Sequence, residues 1–286
     1  MARGAARWAC ALAVALGGLG VARDAAAVPV LYGAAYSGPD GLSTFYSVDA
    51  TTGAATAIGA IGFERVSGMD FDPGTGVLYA VAERDDGSDV AVLITLDLAT
   101  GAGTEVAALN GGATHSFGDT YSDISFRSDG TLFAYLEAGD GLGTIDVATG
   151  ALSELGFTGV ECCGNGIAFS SGDVLHQANE DALQTLDQGT GAATLLAALV
   201  YPGGQTFPRV NAMDFDPASG TLYASVRRDF GSYLATIDTA TGAVGSIGDT
   251  QNGLDALAVF VPEPEAFVLL AAAALALAWL RQSSAG

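Results

Sequence analysis

A five-residue pattern, Asp-x-x-Thr-Gly, recurs along the chain and constrains its fold more than any other feature. It occurs at Asp49–Gly53, Asp97–Gly101, Asp146–Gly150, Asp187–Gly191 and Asp238–Gly242. A second marker, a leucine followed by a ring side chain, begins at Leu31, Leu78, Leu132, Leu175 and Leu222. Two markers that alternate in the same order, at intervals of roughly 45 residues, indicate a repeat architecture in which each unit is one supersecondary motif.

Each repeat predicts four short antiparallel strands. The first strand is an apolar–polar alternation such as Met213–Asp216, the second begins at the leucine marker, the third ends at the repeat aspartate, and the fourth follows the repeat glycine. Alternation at period two is the pattern of a half-buried strand. The Asp-x-x-Thr-Gly segments suit tight turns, because aspartate accepts hydrogen bonds from turn N–H groups and glycine adopts the left-handed conformation at no steric cost.

Four strands in every repeat of this length are typical of a β-propeller. Residues 28–260 begin with a strand of the second kind at Val30–Tyr36 and end with a strand of the first kind at Leu254–Phe260. Pairing that last strand with the first three would close a ring and remove exposed edges. We therefore predict an all-β fold, a single β-propeller of five four-stranded blades, with a β-solenoid as the alternative. The repeats resemble the NHL and YVTN propeller families in pattern, and this resemblance implies no function.

Residues 1–27 predict a secretory signal peptide. Arg3 and Arg7 form a basic start, Trp8–Ala22 is an apolar stretch, and Ala25 and Ala27 give a small-x-small cleavage site. The alternative is a buried N-terminal helix, but charge, apolar run and cleavage site follow one another in the order of an export signal.

Residues 261–286 predict a second targeting signal. The segment Val261-Pro262-Glu263-Pro264 precedes the apolar run Ala266–Leu280, and Arg281 follows it. This layout resembles the PEP-CTERM sorting signal of Gram-negative bacteria, which has a Pro-Glu-Pro motif, a short transmembrane helix and a basic end. The resemblance implies an inner-membrane intermediate, processing by signal peptidase and exosortase, and transfer to the cell surface or extracellular polymer. The family usually ends in several basic residues, whereas here there is one; a GPI signal is the rival interpretation, but it does not use Pro-Glu-Pro.

The charge of the chain excludes nucleic acid as a partner. All 10 basic residues are arginines, 32 carboxylates oppose them, and the formal net charge is −22. A surface this negative repels phosphates, and the sequence has no lysine to build a basic patch. Half of the residues are hydrophobic, so the chain can bury a core instead of remaining disordered.

Two arginines in equivalent positions are candidate ligand-binding residues. Arg65 lies in Phe63-x-Arg65-Val66 and Arg209 in Phe207-x-Arg209-Val210, each ahead of a strand of the first kind. We expect both near the mouth of the propeller tunnel, where guanidinium groups can hold a carboxylate or a sugar acid. The alternative is that both pair with local acidic residues. His115, in the longest loop, is a further candidate on the same face.

The segment Asp85-Asp86-Gly87-Ser88-Asp89 resembles part of a calcium loop, because calcium prefers several carboxylate and carbonyl oxygens. Asp85, Asp86 and Asp89 are therefore candidate ligands of a structural calcium ion, although the distal glutamate of an EF-hand is missing and a solvated acidic turn is the alternative. The sequence contains no recognisable nucleophile–base arrangement or phosphate loop, so it predicts no catalytic residue and no other cofactor.

Together these features predict an exported protein that is not an enzyme. It would be held briefly in the inner membrane and would then act as a binding or structural protein of the cell surface or polymer matrix, with an extracellular polysaccharide or a surface protein as its partner. The alternative is a propeller hydrolase or lyase that acts on extracellular glycans at the tunnel mouth.

Overall fold

The computed structural model describes residues 29–36, 41–112, 120–160, 166–203, 205, 207–229 and 231–260. Within these ranges the chain forms nineteen β-strands and two short 3-10 turns, at Leu109–Gly112 and Glu137–Gly139. The same ranges contain no α-helix, which confirms the all-β prediction. The predicted signal peptide (residues 1–27), the predicted sorting signal (residues 261–286) and His115 lie outside the described residues. None of the helices in the described ranges is long and apolar enough to cross a membrane.

The strands follow the repeat pattern of the sequence. In chain order they are β1 Val30–Tyr36, β2 Leu42–Val48, β3 Ala55–Phe71, β4 Leu78–Glu83, β5 Ala91–Leu96, β6 Gly103–Ala108, β7 Tyr121–Phe126, β8 Leu132–Leu136, β9 Gly141–Ile145, β10 Leu152–Phe157, β11 Gly166–Phe169, β12 Leu175–Ala178, β13 Ala182–Leu186, β14 Ala193–Ala198, β15 Arg209–Phe215, β16 Leu222–Arg228, β17 Gly231–Ile237, β18 Val244–Asp249 and β19 Leu254–Phe260. The leucine marker is the first residue of β4, β8, β12 and β16, as predicted.

These strands form four antiparallel sheets, so the prediction of five separate four-stranded sheets is wrong in that respect. One sheet has seven strands in the order β19-β1-β2-β3-β4-β5-β6, and the other three have four strands each. The cause is β3, a continuous strand whose beginning pairs with β2 and whose end pairs with β4. Glu64 is opposite Leu42 on one side and Glu83 on the other, and Gly62 just before it has a φ of +81°, which turns the backbone without ending the strand.

The first strands of the successive units, which we call the inner strands, form a closed ring. Strand β19 contacts β3, β3 contacts β7, β7 contacts β11, β11 contacts β15, and β15 contacts β19. The ring closes through the ends of the described chain, because β19 pairs with β1 from Val30 opposite Phe260 to Ala35 opposite Leu254. This pairing confirms that the C-terminal strand completes the sheet begun by β1, β2 and the first part of β3.

Buried aspartates connect neighbouring inner strands. A carboxylate oxygen of each accepts a backbone N–H from the next inner strand: Asp70 from Phe126 at 2.6 Å, Asp123 from Ile167 at 2.9 Å, and Asp214 from Val259 at 2.7 Å. A buried carboxyl group is costly unless it is hydrogen-bonded. These bonds therefore both satisfy the carboxyl groups and fix the inner strands against one another.

The five Asp-x-x-Thr-Gly turns have the predicted conformation. In each, the glycine N–H donates to the aspartate carbonyl oxygen at 2.8 Å, and the glycine has a φ between +71° and +79°. Each turn also rests on the outermost strand of the neighbouring unit. A Cβ on Gly53 would lie 2.5 Å from the carbonyl oxygen of Gly248 on β18, and the other four turn glycines approach β3, β6, β10 and β14 in the same way. The turns thus form a second set of contacts around the ring.

Candidate ligand-binding site at one end of the inner strands

A cavity of about 200 Å³ lies where the inner strands begin. Its walls come from the first residues of β7, β15 and β19, from the middle of β3, and from the last residues of β4 and β16. Because four of the five inner strands contribute to it, the cavity lies at one end of the ring. This is the position at which we expected the mouth of the tunnel.

Register shifts place one polar residue from each of these four inner strands in the cavity wall. Where it reaches the cavity, each of these inner strands has more residues than the partner strand that it pairs with. The extra residues lie between Glu64 and Gly68 on β3, between Tyr121 and Asp123 on β7, between Val210 and Ala212 on β15, and between Leu254 and Ala256 on β19. The polar residues inserted there are Ser67, Ser122, Asn211 and Asp255. A β-bulge bends its strand and redirects side chains, which explains how backbone that is otherwise core-forming presents polar groups to a cavity.

Three arginines line this cavity. Arg65 lies in the β3 bulge with a φ of +48°, a left-handed conformation that few residues other than glycine adopt. Its Nε atom is 3.6 Å from Oε1 of Glu83, and a guanidinium nitrogen of Arg209 is 3.4 Å from Oε1 of Glu180. Arg227, on β16, is exposed and has no carboxylate within 4.0 Å among the described residues. The two predicted arginines therefore meet in one site, and both also pair with acidic residues, as the alternative interpretation expected.

Carboxyl groups line the cavity together with these arginines. Burial raises the pKa of Glu83, the charge of Arg65 opposes this rise, and Asp89 and Glu64 add to it. Burial likewise raises the pKa of Asp255, against a hydrogen bond from Asn211 at 2.5 Å and the charge of Arg227. Glu137 also lines the cavity. The site thus combines three cations with three acids, two of which hold their protons more tightly than usual.

One carboxylate oxygen in the site has an unused hydrogen-bonding capacity. The Oε2 atom of Glu83 is buried and has no hydrogen-bond partner among the described residues. An acceptor in this condition costs free energy unless a donor reaches it.

The acidic loop of the second repeat is separate from the cavity. Asp85, Asp86 and Asp89 are exposed, the Asp86 carboxylate accepts the Ser88 N–H at 2.9 Å, and none of the three lines the cavity. Across the described part of the chain, no group of three or more His, Cys, Asp or Glu side chains is arranged to hold a metal ion. The structure therefore brings together Arg65 and Arg209 but does not assemble the predicted calcium ligands.

Sequence reasoning missed Arg227 and the polar bulge residues. A signal for the latter exists: Ser67, Ser122 and Asn211 each lie four residues before the phenylalanine that ends their inner strand. In those three strands this phenylalanine is opposite the leucine marker of the next strand. In β19 the residue opposite the leucine marker Leu31 is Val259, and Asp255 lies four residues before it. An alignment of the repeats on the residue opposite the leucine marker would have found one polar residue in each of these four repeats.

Comparisons with known proteins bear on the fold alone. No protein family matches the chain, and no curated protein matches its sequence. Among solved structures, the chain is similar to a chain in the crystal structure of a nidogen/laminin complex, with a TM-score of 0.50, 15% identity, and coverage of 81% of this chain and 98% of that one.

Two further solved structures are similar over part of their length. TolB from Acinetobacter baumannii has a TM-score of 0.47, 13% identity, and coverage of 79% of this chain and 53% of that one. The hydrazine synthase of Kuenenia stuttgartiensis has a TM-score of 0.42, 16% identity, and coverage of 65% and 50%. The chain thus spans about half of each of these two.

The class of fold follows from the ring of inner strands and the similarity to the chain from the nidogen/laminin complex. The chain has a β-propeller repeat fold, with nearly all of its described secondary structure in antiparallel strands.

Proposed function

We propose that this chain is an exported β-propeller that binds a ligand without transforming it, as a binding or structural protein of the cell surface or extracellular polymer matrix. The observation that carries the proposal is the cavity at one end of the inner strands, where three arginines and four bulge residues converge. Polar groups that converge in a concave site on a rigid scaffold are typical of ligand binding. The fold is compatible with this role.

The proposal includes the division of the chain. Residues 1–27 act as a signal peptide, residues 28–260 form five blades in which β3 contributes its two halves to two blades, and residues 261–286 act as a sorting signal with a transmembrane helix. The closed cycle of five inner strands supports the count of blades. The basic start, the Pro-Glu-Pro motif and the apolar run support the two targeting signals.

Mass spectrometry of the protein recovered from its source cells tests the sorting step. We expect no peptide from Phe267 onward in the mature protein, and we expect such peptides to persist when Pro262 and Pro264 are both changed to Ala. An intact C-terminus in the unmodified protein at the cell surface would contradict the sorting proposal.

A propeller hydrolase or lyase is the second candidate function. It is favoured by Glu83 and Asp255, two carboxyl groups of raised pKa in one cavity, because a general acid must retain its proton near neutral pH. To separate the two functions, the purified protein is incubated with acidic polysaccharide fragments. Binding with no new reducing ends and no unsaturated products supports the binding role, whereas turnover that the double variant Arg65→Ala, Arg209→Ala abolishes would establish the enzyme.

A further inference from the structure

The arginines of the ring fall into two groups with different pairing. Six arginines lie between residues 28 and 260. Outside the cavity, Arg84 contacts Glu105 at 2.5 Å, Arg127 contacts Asp129 at 2.5 Å, and Arg228 pairs with Asp249. Of the three that line the cavity, Arg65 and Arg209 each have one ion pair, at 3.6 Å and 3.4 Å, and Arg227 has none within 4.0 Å among the described residues. In a chain with so many carboxylates, loosely paired arginines are concentrated in one place.

Two of the cavity arginines also face each other directly. Arg209 on β15 is the register partner of Arg227 on β16. Like charges directly opposite each other in an antiparallel ladder destabilise the sheet. The Glu180 carboxylate contacts Arg209 on one side. Arg227 has no carboxylate within 4.0 Å among the described residues, and Asp255, whose pKa its charge lowers, acts on it only from farther away. An anion bound between the two guanidinium groups would remove this repulsion.

We propose that the Arg209–Arg227 pair binds the carboxylate of one acidic sugar unit, such as a uronic acid, and that Arg227 is its main anchor. This inference specifies the ligand of the binding protein proposed above and therefore rests on that proposal. Guanidinium groups form paired hydrogen bonds with carboxylates, and these charge-assisted bonds are the strong ones.

The size of the cavity matches a ligand of one sugar ring. A cavity of about 200 Å³ has the space of roughly seven water molecules at about 30 Å³ each, which is the scale of one sugar ring. The walls also supply partners for hydroxyl groups. The Ser67 hydroxyl group donates to the Tyr121 carbonyl oxygen and the Asn211 amide donates to Asp255, and each of these two lining residues has a side-chain oxygen that can accept a hydrogen bond from a sugar hydroxyl group.

The charge balance of the cavity favours a monoanion. Three arginines line the cavity together with Glu83, Glu137 and Asp255, and Glu180 contacts Arg209 from outside the lining, so these acids limit how much negative charge a ligand can carry. Burial raises the pKa of Glu83 and of Asp255, which further reduces the negative charge that a carboxylate encounters. A phosphate ester or inorganic sulfate, each of which carries close to two negative charges, would meet the same acids at greater cost.

Calorimetric titration of the full chain tests this site with glucuronic acid, its uncharged methyl ester, glucose and inorganic sulfate. We expect glucuronate to bind, and the ester, glucose and sulfate to bind at least tenfold more weakly. Arg227→Gln should weaken glucuronate binding at least tenfold. Arg228→Gln is the matched control, because the neighbouring Arg228 guanidinium lies 5.4 Å from the centre of the Tyr233 ring and outside the cavity, and it should leave binding unchanged.

Thermal unfolding without ligand provides a second measurement. Arg227→Gln should unfold at the same temperature as the unmodified protein or a higher one, because it removes the repulsion from Arg209; a lower temperature would contradict the unfavourable pairing. The inference is overturned if the methyl ester or sulfate binds as tightly as glucuronate, or if Arg228→Gln loses as much affinity as Arg227→Gln.

The two proposals fail in different ways. If glucuronate does not bind but the protein is retained on polymer prepared from its source cells, the carboxylate site is wrong and the binding role stands. If the protein is retained on no polymer and no surface fraction, the binding role fails as well.

Discussion

Asp70 gives the sharpest test of how the ring is held together. Its carboxylate accepts the Phe71 N–H at 2.7 Å, the Phe126 N–H at 2.6 Å and the Ser125 hydroxyl at 3.1 Å. Burial raises its pKa from 3.8 to about 6, and the charge of Asp72 adds to the rise. The folded protein therefore binds this proton more tightly than the unfolded chain does.

The sign and size of the effect on stability follow from that difference. The stabilisation that the proton provides is fully present below about pH 3.8 and is lost as the pH rises through about 6. A shift of about 2 pKa units corresponds to roughly 3 kcal/mol, of which about 2 kcal/mol falls between pH 7 and pH 4. Asp70→Asn has nearly the same shape but cannot titrate, so it should lack this contribution.

Urea unfolding at pH 7 and pH 4 measures the effect. When the pH is lowered from 7 to 4, the free energy of unfolding of the unmodified protein should rise by about 2 kcal/mol relative to that of Asp70→Asn. Asp49→Asn is the control, since hydrogen bonds from Thr51 and Thr52 lower the pKa of Asp49 to about 2, and its contribution is lost only as the pH falls below about 3.8. If the unmodified protein and Asp70→Asn change in parallel between the two pH values, the buried carboxyl group does not behave as described.

Two further predictions concern contacts around the ring. Gly248→Ala would place a Cβ 2.1 Å from the Thr52 carbonyl oxygen, and we expect the free energy of unfolding to fall by about 2 kcal/mol or more. Gly172→Ala is the control, because no atom lies within 4 Å of the new Cβ, and it should leave the thermal unfolding temperature nearly unchanged. Equal effects of the two substitutions would contradict the close contact. Ser225→Ala removes a buried hydroxyl group that donates to the Leu254 carbonyl oxygen at 2.6 Å, and we expect the free energy of unfolding measured with urea to fall by about 1 to 2 kcal/mol. An unchanged urea midpoint would contradict this prediction.

The turns and the starts of strands could be read from the sequence because their causes are local. The repeat glycine is required by its own positive φ, and the aspartate by the N–H groups two and three residues later; in the first repeat the Asp49 carboxylate accepts both at 2.8 Å.

His176, at the ring position of the leucine marker in its repeat, is buried, and its ring lies edge-on to Phe215 with centroids 5.0 Å apart. A position that holds an aromatic ring in other repeats thus accommodates an imidazole ring in the core.

The continuity of β3 could not be read in the same way. Strand breaks are predicted from glycine and proline and from clusters of asparagine, aspartate and serine, and of these signals the segment from Ala57 to Phe63 contains only two isolated glycines. Its glycines carry the change of direction: Gly62 has a positive φ, and Gly59 lies so close to the Thr100 carbonyl oxygen that a Cβ there would be 2.0 Å from it. Whether a glycine ends a strand or bends it depends on partners that are distant in sequence.

Two of the three arginines of the candidate site were visible in the sequence, and the rest of the site depends on register. Arg65 and Arg209 share a local motif, so a comparison of repeats finds them. Arg227 enters the site because it is opposite Arg209 across a ladder, and Asn211 because a bulge turns it away from the period-two alternation. Cross-strand pairing and bulges are set by tertiary packing, and a pattern of alternating residues does not encode them.

The pairing of Val30 with Phe260 also has a mechanical consequence. These residues are the outermost pair of an antiparallel ladder, and the chain enters at one and leaves at the other on the same end of the sheet. A tensile force applied between the two ends would therefore open this ladder like a zip, one residue pair at a time, instead of shearing all of its bonds together. A pull on a single end would instead be shared among the contacts that β19 makes with β3 and β15 as well as with β1. The ring should therefore open at the β1–β19 pair when it is stretched from both ends, and it should resist a force applied only at the end of β19.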